Sequence, residues 1–177
     1  MNLPNKLSIA RVLCIPAVAV LLYLNDDTCR IVALVLFILA SLTDLLDGHI
    51  ARKYNMVTDF GKVIDPVADK LLVLTTLVML VRNGMMEAWV VLVILCRELA
   101  VDGLRMVAVS QGKVIAAGKI GKWKTTFQMV TIAAILLFNK ACFATWYTGI
   151  LTGVSVALTL WSGVDYFVRN ASVFETK

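Results

Sequence analysis

Long apolar segments alternate with short polar connections along the whole chain. About 20 mostly apolar residues in a helix are enough to cross a bilayer. Six segments of roughly this length predict membrane-spanning helices, at residues 7–24, 30–51, 65–82, 87–109, 120–139 and 146–168. Most of the connections are short, so consecutive helices are expected to pack as antiparallel neighbours. The pattern therefore predicts an all-α integral membrane protein with six transmembrane helices.

The composition supports a membrane protein and argues against a soluble one. Hydrophobic residues make up 60% of the 177 residues, charged residues make up 16%, and the mean hydropathy is +0.85. Soluble domains average about 45–50% hydrophobic and about 25% charged residues. No linker or low-complexity run divides the chain, so a single transmembrane domain over residues 1–177 is expected. The first apolar segment lacks a small-residue cleavage site and is expected to be retained as a span.

Basic residues indicate the orientation of the predicted spans. With both termini in the cytoplasm, thirteen of the 17 basic residues lie on the cytoplasmic side. Arg30, Arg82 and Lys140 lie on the opposite side, and Arg97 falls within a span. This asymmetry is the positive-inside signal, so both termini are predicted to be cytoplasmic. The net charge of +5 then reflects topology and contact with anionic lipid head groups rather than nucleic-acid binding.

Four aspartates lie where the second and third predicted spans approach the cytoplasm. Asp44 and Asp47 are three residues apart and Asp65 and Asp69 are four apart, so each pair shares one helix face. A charged group at the bilayer centre costs roughly 2.5–3.5 kcal/mol, and such residues therefore indicate function. Four converging carboxylates repel one another, and ligation of a divalent cation relieves that repulsion. Oxygen ligands favour Mg²⁺ or Mn²⁺, and four carboxylates can bridge two ions.

Other interpretations of these acids are weaker. His49 could add a ligand, whereas the four cysteines have no metal-ligand spacing. The acids could also form structural ion pairs with the nearby cations Arg52, Lys62 and Lys70. Ion pairing alone does not explain why four acids converge or why glycines accompany them.

Small residues beside the acids favour a bound phosphate. Gly48 removes a side chain next to Asp47, so a phosphate can approach the helix closely. Ala51 lies one turn after Asp47 on the same face and keeps that approach open. Arg52 supplies a forked cation that suits phosphate oxygens. The sequence therefore predicts a metal-assisted phosphate site at the cytoplasmic side.

A second charged group lies at the facing ends of the fourth and fifth predicted spans. Its members are basic: Arg97, Arg105, Lys119, Lys122 and Lys124. Cations gathered at one membrane level suit a phosphate better than a lipid surface alone. Arg97 gives the strongest indication because it lies deep in an apolar span. Structural pairing is the alternative, with Glu98 or Asp102 as the partner of Arg97.

The segment 44–69 resembles the signature of the CDP-alcohol phosphatidyltransferase family. It reads Asp44-Leu-Leu-Asp47-Gly48-His-Ile-Ala51-Arg52, then eight residues, then Gly61-Lys-Val-Ile-Asp65-Pro-Val-Ala-Asp69. All eight fixed positions of the pattern D-x-x-D-G-x-x-A-R-x8-G-x3-D-x3-D match over 26 residues. The six predicted spans fit this family over the whole chain.

The resemblance implies a CDP-linked lipid as donor and CMP as the leaving group. It implies that two divalent ions, Mg²⁺ or Mn²⁺, are held by four carboxylates, those of Asp44, Asp47, Asp65 and Asp69. It implies that four residues line the CDP site, namely Gly48, Ala51, Arg52 and Gly61. It also makes Asp69 the general base that acts on the acceptor hydroxyl. A homodimer is expected from the resemblance alone.

The acceptor is indicated by other segments. Residues 96–98 and 121–128, with Ser8 and Arg11 near the start, resemble the bacterial branch of the family that makes phosphatidylglycerol phosphate. This branch transfers the phosphatidyl group of CDP-diacylglycerol to glycerol 3-phosphate. Arg97 and Lys124 would then bind the phosphate of glycerol 3-phosphate. Three further cations would support them: Lys122, Lys119 and Arg105.

Two alternatives remain open from the sequence. One is a transferase of the same family with another acceptor, as in a cardiolipin synthase that uses phosphatidylglycerol. The other is a small transporter or channel, in which acids would be spread along the bilayer depth. Here the acids gather at one level, which favours the enzyme. The absence of a transit extension suits a multi-pass protein of a bacterial inner membrane.

Overall fold

The structure, a computed structural model, describes most of the chain. The described backbone covers residues 3–53, 59–113, 115, 118–138 and 147–173. The described side chains are those of residues 8–43, 65, 67–113, 115, 118, 120–138, 149–171 and 173. All regular secondary structure in these ranges is helical, which agrees with the predicted fold class.

Six α-helices follow one another in the described ranges. They are α1 (Leu3–Leu24), α2 (Asp27–Lys53), α3 (Asp59–Arg82), α4 (Ala88–Ser110), α5 (Lys119–Leu137) and α6 (Tyr147–Arg169), and a 3-10 helix follows at Ala171–Val173. Each α-helix overlaps one predicted span, so the six helices are confirmed as elements. Helices α2 and α3 extend past their apolar parts into polar residues, to Lys53 and from Asp59 respectively.

Local chemistry explains where several helices begin and end. Asn25 has a φ of 54°, a left-handed conformation that asparagine tolerates, and Asp26 caps α2 by accepting the backbone N–H of Thr28 at 2.9 Å. Gly84 and Gly112 have φ values of 65° and 72° and terminate α3 and α4. In both cases the residue after the glycine donates its N–H to the carbonyl five residues earlier, which is a Schellman motif.

The chain divides into two compact units. The first contains α1, α2, α3 and the end of α5 from Ile132, and the second contains α4, α5 as far as Thr131, α6 and the 3-10 helix. In the first unit α1 packs against both α2 and α3. The core of this unit includes the fully buried side chains Val18, Leu22, Phe37, Leu72 and Leu80. The single domain over the whole chain stays a prediction.

Contacts along α1 and α3 establish their relative direction. Near its start α1 contacts the beginning of α3, where the Ser8 hydroxyl donates to Asp65 Oδ1. Near its end α1 contacts the end of α3, where Asn83 Nδ2 donates to the Leu22 carbonyl at 2.9 Å. The two helices therefore run parallel, as expected when consecutive helices alternate in direction. The start of α1 and the acidic start of α3 share one end of the unit, and Arg82 lies at the other.

In the second unit α4 packs against α6. A buried cluster joins them and includes Val101, Leu104, Ala108 and Tyr166, with Val173 of the 3-10 helix. Gln111 Nε2 donates to the Val173 carbonyl at 3.0 Å and fastens the end of α4 to the 3-10 helix.

The helices expose apolar side chains and bury polar ones. Leu13, Met106 and Trp161 are more than 60% exposed, whereas Arg11 and Lys124 are 2% and 3% exposed. In water-soluble proteins such cations are almost never fully buried. In membrane proteins ionisable groups face the protein interior. The distribution of side chains is therefore consistent with a membrane protein.

Within the described residues, one helical segment is long and apolar enough to cross a membrane. It is Gly149–Arg169, with a mean hydropathy of 1.3, while the apolar segment Ser8–Leu24 is shorter. Helix α4 has the necessary length, but Arg97, Glu98, Asp102 and Arg105 interrupt its apolar surface. Six membrane crossings therefore stay a prediction.

Candidate active site

Helices α2 and α3 carry the residues of the acidic signature. Asp44 and Asp47 lie in the last turns of α2, and Asp65 and Asp69 lie in the first half of α3. Both pairs therefore have the helical spacing that places their members on one face. Six of the eight signature residues have side chains that lie outside the described ones, namely Asp44, Asp47, Gly48, Ala51, Arg52 and Gly61. The convergence of four carboxylates stays a prediction.

Asp65 and Asp69 form the described part of the predicted metal site. They lie one turn apart on α3, and both are partly buried. Ser8, which is 1% exposed, donates its hydroxyl to Asp65 Oδ1. No group of three or more potential ligands occurs among the described side chains, which include only two of the four aspartates. Because the donors of the signature are all carboxylate oxygens, they fit Mg²⁺ or Mn²⁺ rather than a soft metal.

Helix α1 supports the acidic end of the first unit through a second polar residue. Arg11 is 2% exposed and donates from Nε to the Ala40 carbonyl of α2 at 3.3 Å. Ala40 precedes Asp44 by four residues, which is one helical turn. Helix α1 thus contacts both acid-bearing helices through buried polar side chains.

Two of the predicted phosphate-binding cations meet at one carboxylate in the second unit. Glu98 Oε1 accepts from Arg97 Nη1 at 3.1 Å and also from the ammonium group of Lys124. The side chains of Arg97 and Glu98 are 13% and 17% exposed, and that of Lys124 is 3% exposed. The structural pairing of Arg97 with Glu98 is therefore present. The three side chains together keep one net positive charge.

The pairing leaves part of the Arg97 guanidinium available. Its Nε is buried and has no hydrogen-bond partner among the described residues. A buried donor without a partner costs about 1–3 kcal/mol, so a ligand oxygen at this position would relieve that cost. Nε and one terminal nitrogen form an edge of the guanidinium that matches two oxygens of a phosphate. Arg97 can therefore bond Glu98 and an anion with different nitrogens.

Two glycines leave room for the Arg97 side chain. A Cβ atom added at Gly163 of α6 would lie 3.2 Å from Arg97 Cγ. A Cβ atom added at Gly121, in the first turn of α5, would lie 3.7 Å from Arg97 Nη2. A side chain at position 163 would thus lie closer to the aliphatic part of Arg97 than ordinary van der Waals contact. The position of Arg97 depends on three helices, α4, α5 and α6.

The other predicted cations have different surroundings. Arg105 Nε donates to the Tyr166 hydroxyl at 3.0 Å, and its guanidinium carbon lies 5.5 Å from the centre of the Tyr166 ring. Lys122 is exposed, and the side chain of Lys119 lies outside the described ones. The structure brings together Arg97 and Lys124 and bonds Arg105 to a tyrosine instead.

Sequence reasoning did not identify two of these contacts. The sequence pattern did not indicate the contact of Gly163 with Arg97, although a glycine inside a long apolar helix often accompanies the close approach of another group. The bond from Ser8 to Asp65 joins residues 57 positions apart. The only signal for this contact in the sequence is the polar pair at residues 8 and 11 of an otherwise apolar segment.

Comparison with known proteins agrees with the acidic signature. Residues 1–161 match the family model of CDP-alcohol phosphatidyltransferases. The chain is 40% identical over 191 aligned positions to the CDP-diacylglycerol–glycerol-3-phosphate 3-phosphatidyltransferase of Bacillus subtilis, covering 99% of this chain and 98% of that one. It is 39% identical to the Rickettsia typhi protein of the same name, covering 98% and 99% of the two chains. It is 34% identical to the Haemophilus influenzae protein of that name, with 93% and 91% covered. With its signature at residues 44–69 and similarity along almost its whole length, the chain belongs to the CDP-alcohol phosphatidyltransferase family.

Proposed function

We propose that this protein transfers the phosphatidyl group of CDP-diacylglycerol to the primary hydroxyl of sn-glycerol 3-phosphate. The products are phosphatidylglycerol phosphate and CMP, so the reaction serves anionic phospholipid biosynthesis. One observation carries the proposal: relatives named for this reaction are 38–40% identical to the chain over 94% of it or more.

The acid-bearing helices α2 and α3 are the proposed donor site. Asp44, Asp47, Asp65 and Asp69 would hold two divalent ions, either Mg²⁺ or Mn²⁺. When bound, such ions neutralise the pyrophosphate of the donor and the charge that develops on leaving CMP. The CDP group is proposed to bind along the signature, at Gly48, Ala51, Arg52 and Gly61. The two glycines and the alanine leave space for it, and the Arg52 guanidinium can donate two hydrogen bonds to a phosphate.

Asp69 is the proposed general base. It accepts the proton of the acceptor hydroxyl as the hydroxyl oxygen forms its bond to the phosphatidyl phosphorus. The bond from that phosphorus to the oxygen of CMP breaks in the same displacement. Asp69 is partly buried in α3, one turn from Asp65, so its carboxylate is held by a helix rather than by a loop.

The Arg97–Glu98–Lys124 group is the proposed binding site for the phosphate of glycerol 3-phosphate. Its net positive charge and the Arg97 Nε, which has no hydrogen-bond partner in the described part of the chain, favour a small anion. Glu98 also compensates the buried Lys124 ammonium, which would otherwise be costly to keep charged. Lys122, Lys119 and Arg105 are proposed to raise the local positive potential rather than to contact the phosphate first.

The proposed enzyme is a multi-pass protein of a bacterial inner membrane with both termini in the cytoplasm. Six transmembrane helices would place the acidic end of the first unit at the cytoplasmic surface, where a lipid donor and a soluble acceptor can meet. Arg30 and Arg82 support this orientation because they belong to the opposite end of the helices and are few in number. A homodimer is part of the proposal by family analogy.

Release of CMP by the purified protein tests the proposed reaction. In detergent with CDP-diacylglycerol and Mg²⁺, glycerol 3-phosphate should support CMP release, and a chelator of divalent ions should stop it. Phosphatidylglycerol, serine and inositol phosphate serve as alternative acceptors in the same assay. Preference for phosphatidylglycerol would replace the proposed acceptor by that of a cardiolipin synthase. Metal-dependent ion flux in vesicles without any CMP release would instead favour a transporter.

The glycine that accommodates Arg97 gives a second testable expectation. Gly163→Ala should raise the KM for glycerol 3-phosphate, and Gly163→Val should raise it further, because the added carbon displaces the Arg97 stem. A misplacement of about 1 Å in a substrate-positioning group can cost as much as about 10²-fold. Initial rates at varied concentrations of each substrate provide the measurement. The KM for CDP-diacylglycerol should change little.

Gly103→Ala is the matched control for this series. Gly103 lies in α4, and a Cβ atom added there meets nothing within 4 Å. The substitution should leave both KM values unchanged and should stabilise the helix by about 0.5–1 kcal/mol. Equal KM values for the Gly163→Val and Gly103→Ala proteins would contradict the role given to Gly163.

A further inference from the structure

Helix α1 places two buried polar residues against the acid-bearing helices. Ser8 and Arg11 are three residues apart, so they lie on the same face of α1. They are 1% and 2% exposed, although most of their neighbours in the chain are apolar. Buried polar groups in such surroundings are kept only when they bond to specific partners. Ser8 bonds to α3 and Arg11 bonds to α2.

Ser8 acts on a proposed metal ligand. Its hydroxyl donates to Asp65 Oδ1, and this bond fixes one oxygen and the rotation of the carboxylate. The other oxygen is then turned in a defined direction. Groups that bond to a metal ligand in this manner typically affect metal affinity by about 10–100-fold.

Arg11 acts on the backbone of the other acid-bearing helix. Its Nε donates at 3.3 Å to the Ala40 carbonyl, the carbonyl that lies one turn before Asp44 in α2. The bond fixes the height of this part of α2 against α1. Because α1 contacts α3 at Ser8 only three residues away, one face of α1 bonds to both acid-bearing helices.

We infer that Ser8 and Arg11 are positioning residues that assemble the divalent-metal site from helices α2 and α3. Ser8 orients the Asp65 carboxylate, and Arg11 sets the register of α2. Neither residue is a metal ligand or a base in this inference. The inference rests on the proposed function in that it takes Asp65 and Asp44 as metal ligands.

Direct binding of Mn²⁺ to the purified protein, without either substrate, tests this role. Free Mn²⁺ can be followed by electron paramagnetic resonance during titration. Ser8→Ala should bind Mn²⁺ about 10–100-fold more weakly than the unaltered protein. Ser8→Thr keeps a hydroxyl at this position and should bind Mn²⁺ more tightly than Ser8→Ala does. The KM for glycerol 3-phosphate, measured at saturating Mn²⁺, should not change.

Ser162→Ala is the matched control for Ser8→Ala. Ser162 is 2% exposed and donates its hydroxyl to the Thr159 carbonyl of its own helix at 3.1 Å. Its removal costs a buried hydrogen bond within α6, a helix of the second unit. Mn²⁺ affinity should be unchanged. Equal loss of affinity in both serine variants would show a general loss of packing and would overturn the positioning role.

Arg11→Lys provides an independent variant. Lysine keeps the charge but cannot reproduce the guanidinium Nε that reaches Ala40, so Mn²⁺ binding should weaken. Unchanged Mn²⁺ affinity in Ser8→Ala and in Arg11→Lys would overturn the inference. If the unaltered protein binds Mn²⁺ and releases CMP in these conditions, unchanged Mn²⁺ affinity in both variants counts against the positioning role alone. Failure of the unaltered protein to release CMP would instead count against the proposed function.

Discussion

Replacement of Asp69 by asparagine is expected to abolish CMP release. Asparagine has nearly the same shape but cannot take a proton from the acceptor hydroxyl. The loss of a general base typically costs about 10²–10⁴-fold in rate, and the loss of a metal ligand adds to this. Single-turnover CMP release at saturating CDP-diacylglycerol and glycerol 3-phosphate measures the chemical step directly. Near-normal turnover would show that Asp69 is not the base.

Measuring how tightly the donor binds distinguishes the role of Asp69 as a general base from its role as a metal ligand. If its main role is that of a base, the Asp69→Asn protein should still bind CDP-diacylglycerol with nearly unchanged affinity. Asp27→Asn is a suitable control because Asp27 lies at the other end of α2, is 69% exposed and forms a local ion pair with Arg30 at 2.7 Å. Because the Asp27 carboxylate is exposed and lies far along α2 from the acidic signature, this variant should retain full activity.

Substitution of Arg97 is expected to have the second largest effect. Arg97→Gln removes the charge and the guanidinium edge proposed to bind the phosphate of glycerol 3-phosphate. Hydrogen bonds to charged groups contribute about 1.5–3 kcal/mol, which corresponds to a KM for this acceptor that is roughly 10–150-fold higher. The KM for CDP-diacylglycerol should change little. Initial-rate kinetics with each substrate varied in turn provide the comparison.

Arg97→Lys and Arg169→Gln sharpen this test. Lysine keeps the charge but offers no planar fork, so Arg97→Lys should recover only part of the acceptor affinity. Arg169 is 65% exposed and pairs with Asp165 at 2.7 Å, so Arg169→Gln should behave like the unaltered protein. A loss of folded protein in Arg97→Gln with normal acceptor KM in the remaining fraction would identify Arg97 as a structural ion-pair residue only.

Hydropathy predicted the helices well and their polar ends less well. The fourth predicted span, 87–109, agrees with α4 at Ala88–Ser110 to within one residue at each end. In contrast, α3 begins at Asp59, six residues before the predicted span at residue 65. Hydropathy detects the apolar part of a helix, while the signature residues around Gly61 are polar or small and still helical. Hydropathy therefore does not predict the polar first turns of α3, which only the structure shows.

The contacts in the candidate site were likewise predictable from the sequence only in part. Local spacing was sufficient to pair Asp65 with Asp69, because helix geometry relates residues four positions apart. Spacing also indicated Glu98 as a partner of Arg97, since the two are adjacent. The contact of Arg97 with Gly163 depends on how α6 packs against α4, and no local pattern specifies it. The same is true for the bond from Ser8 to Asp65.

The short connection between α1 and α2 has a consequence for the biogenesis of a membrane protein. Only Asn25 and Asp26 separate the two helices, so the pair can enter a bilayer as one hairpin with very little polar chain to translocate. The described cations at this end have bonding partners. Arg30 is paired with Asp27, and Arg82 donates to the Tyr23 carbonyl at 3.0 Å while its guanidinium carbon lies 3.9 Å from the centre of the Tyr23 ring. In the proposed orientation, Arg30 and Arg82, the two described cations at the end that crosses the bilayer, are therefore both partnered.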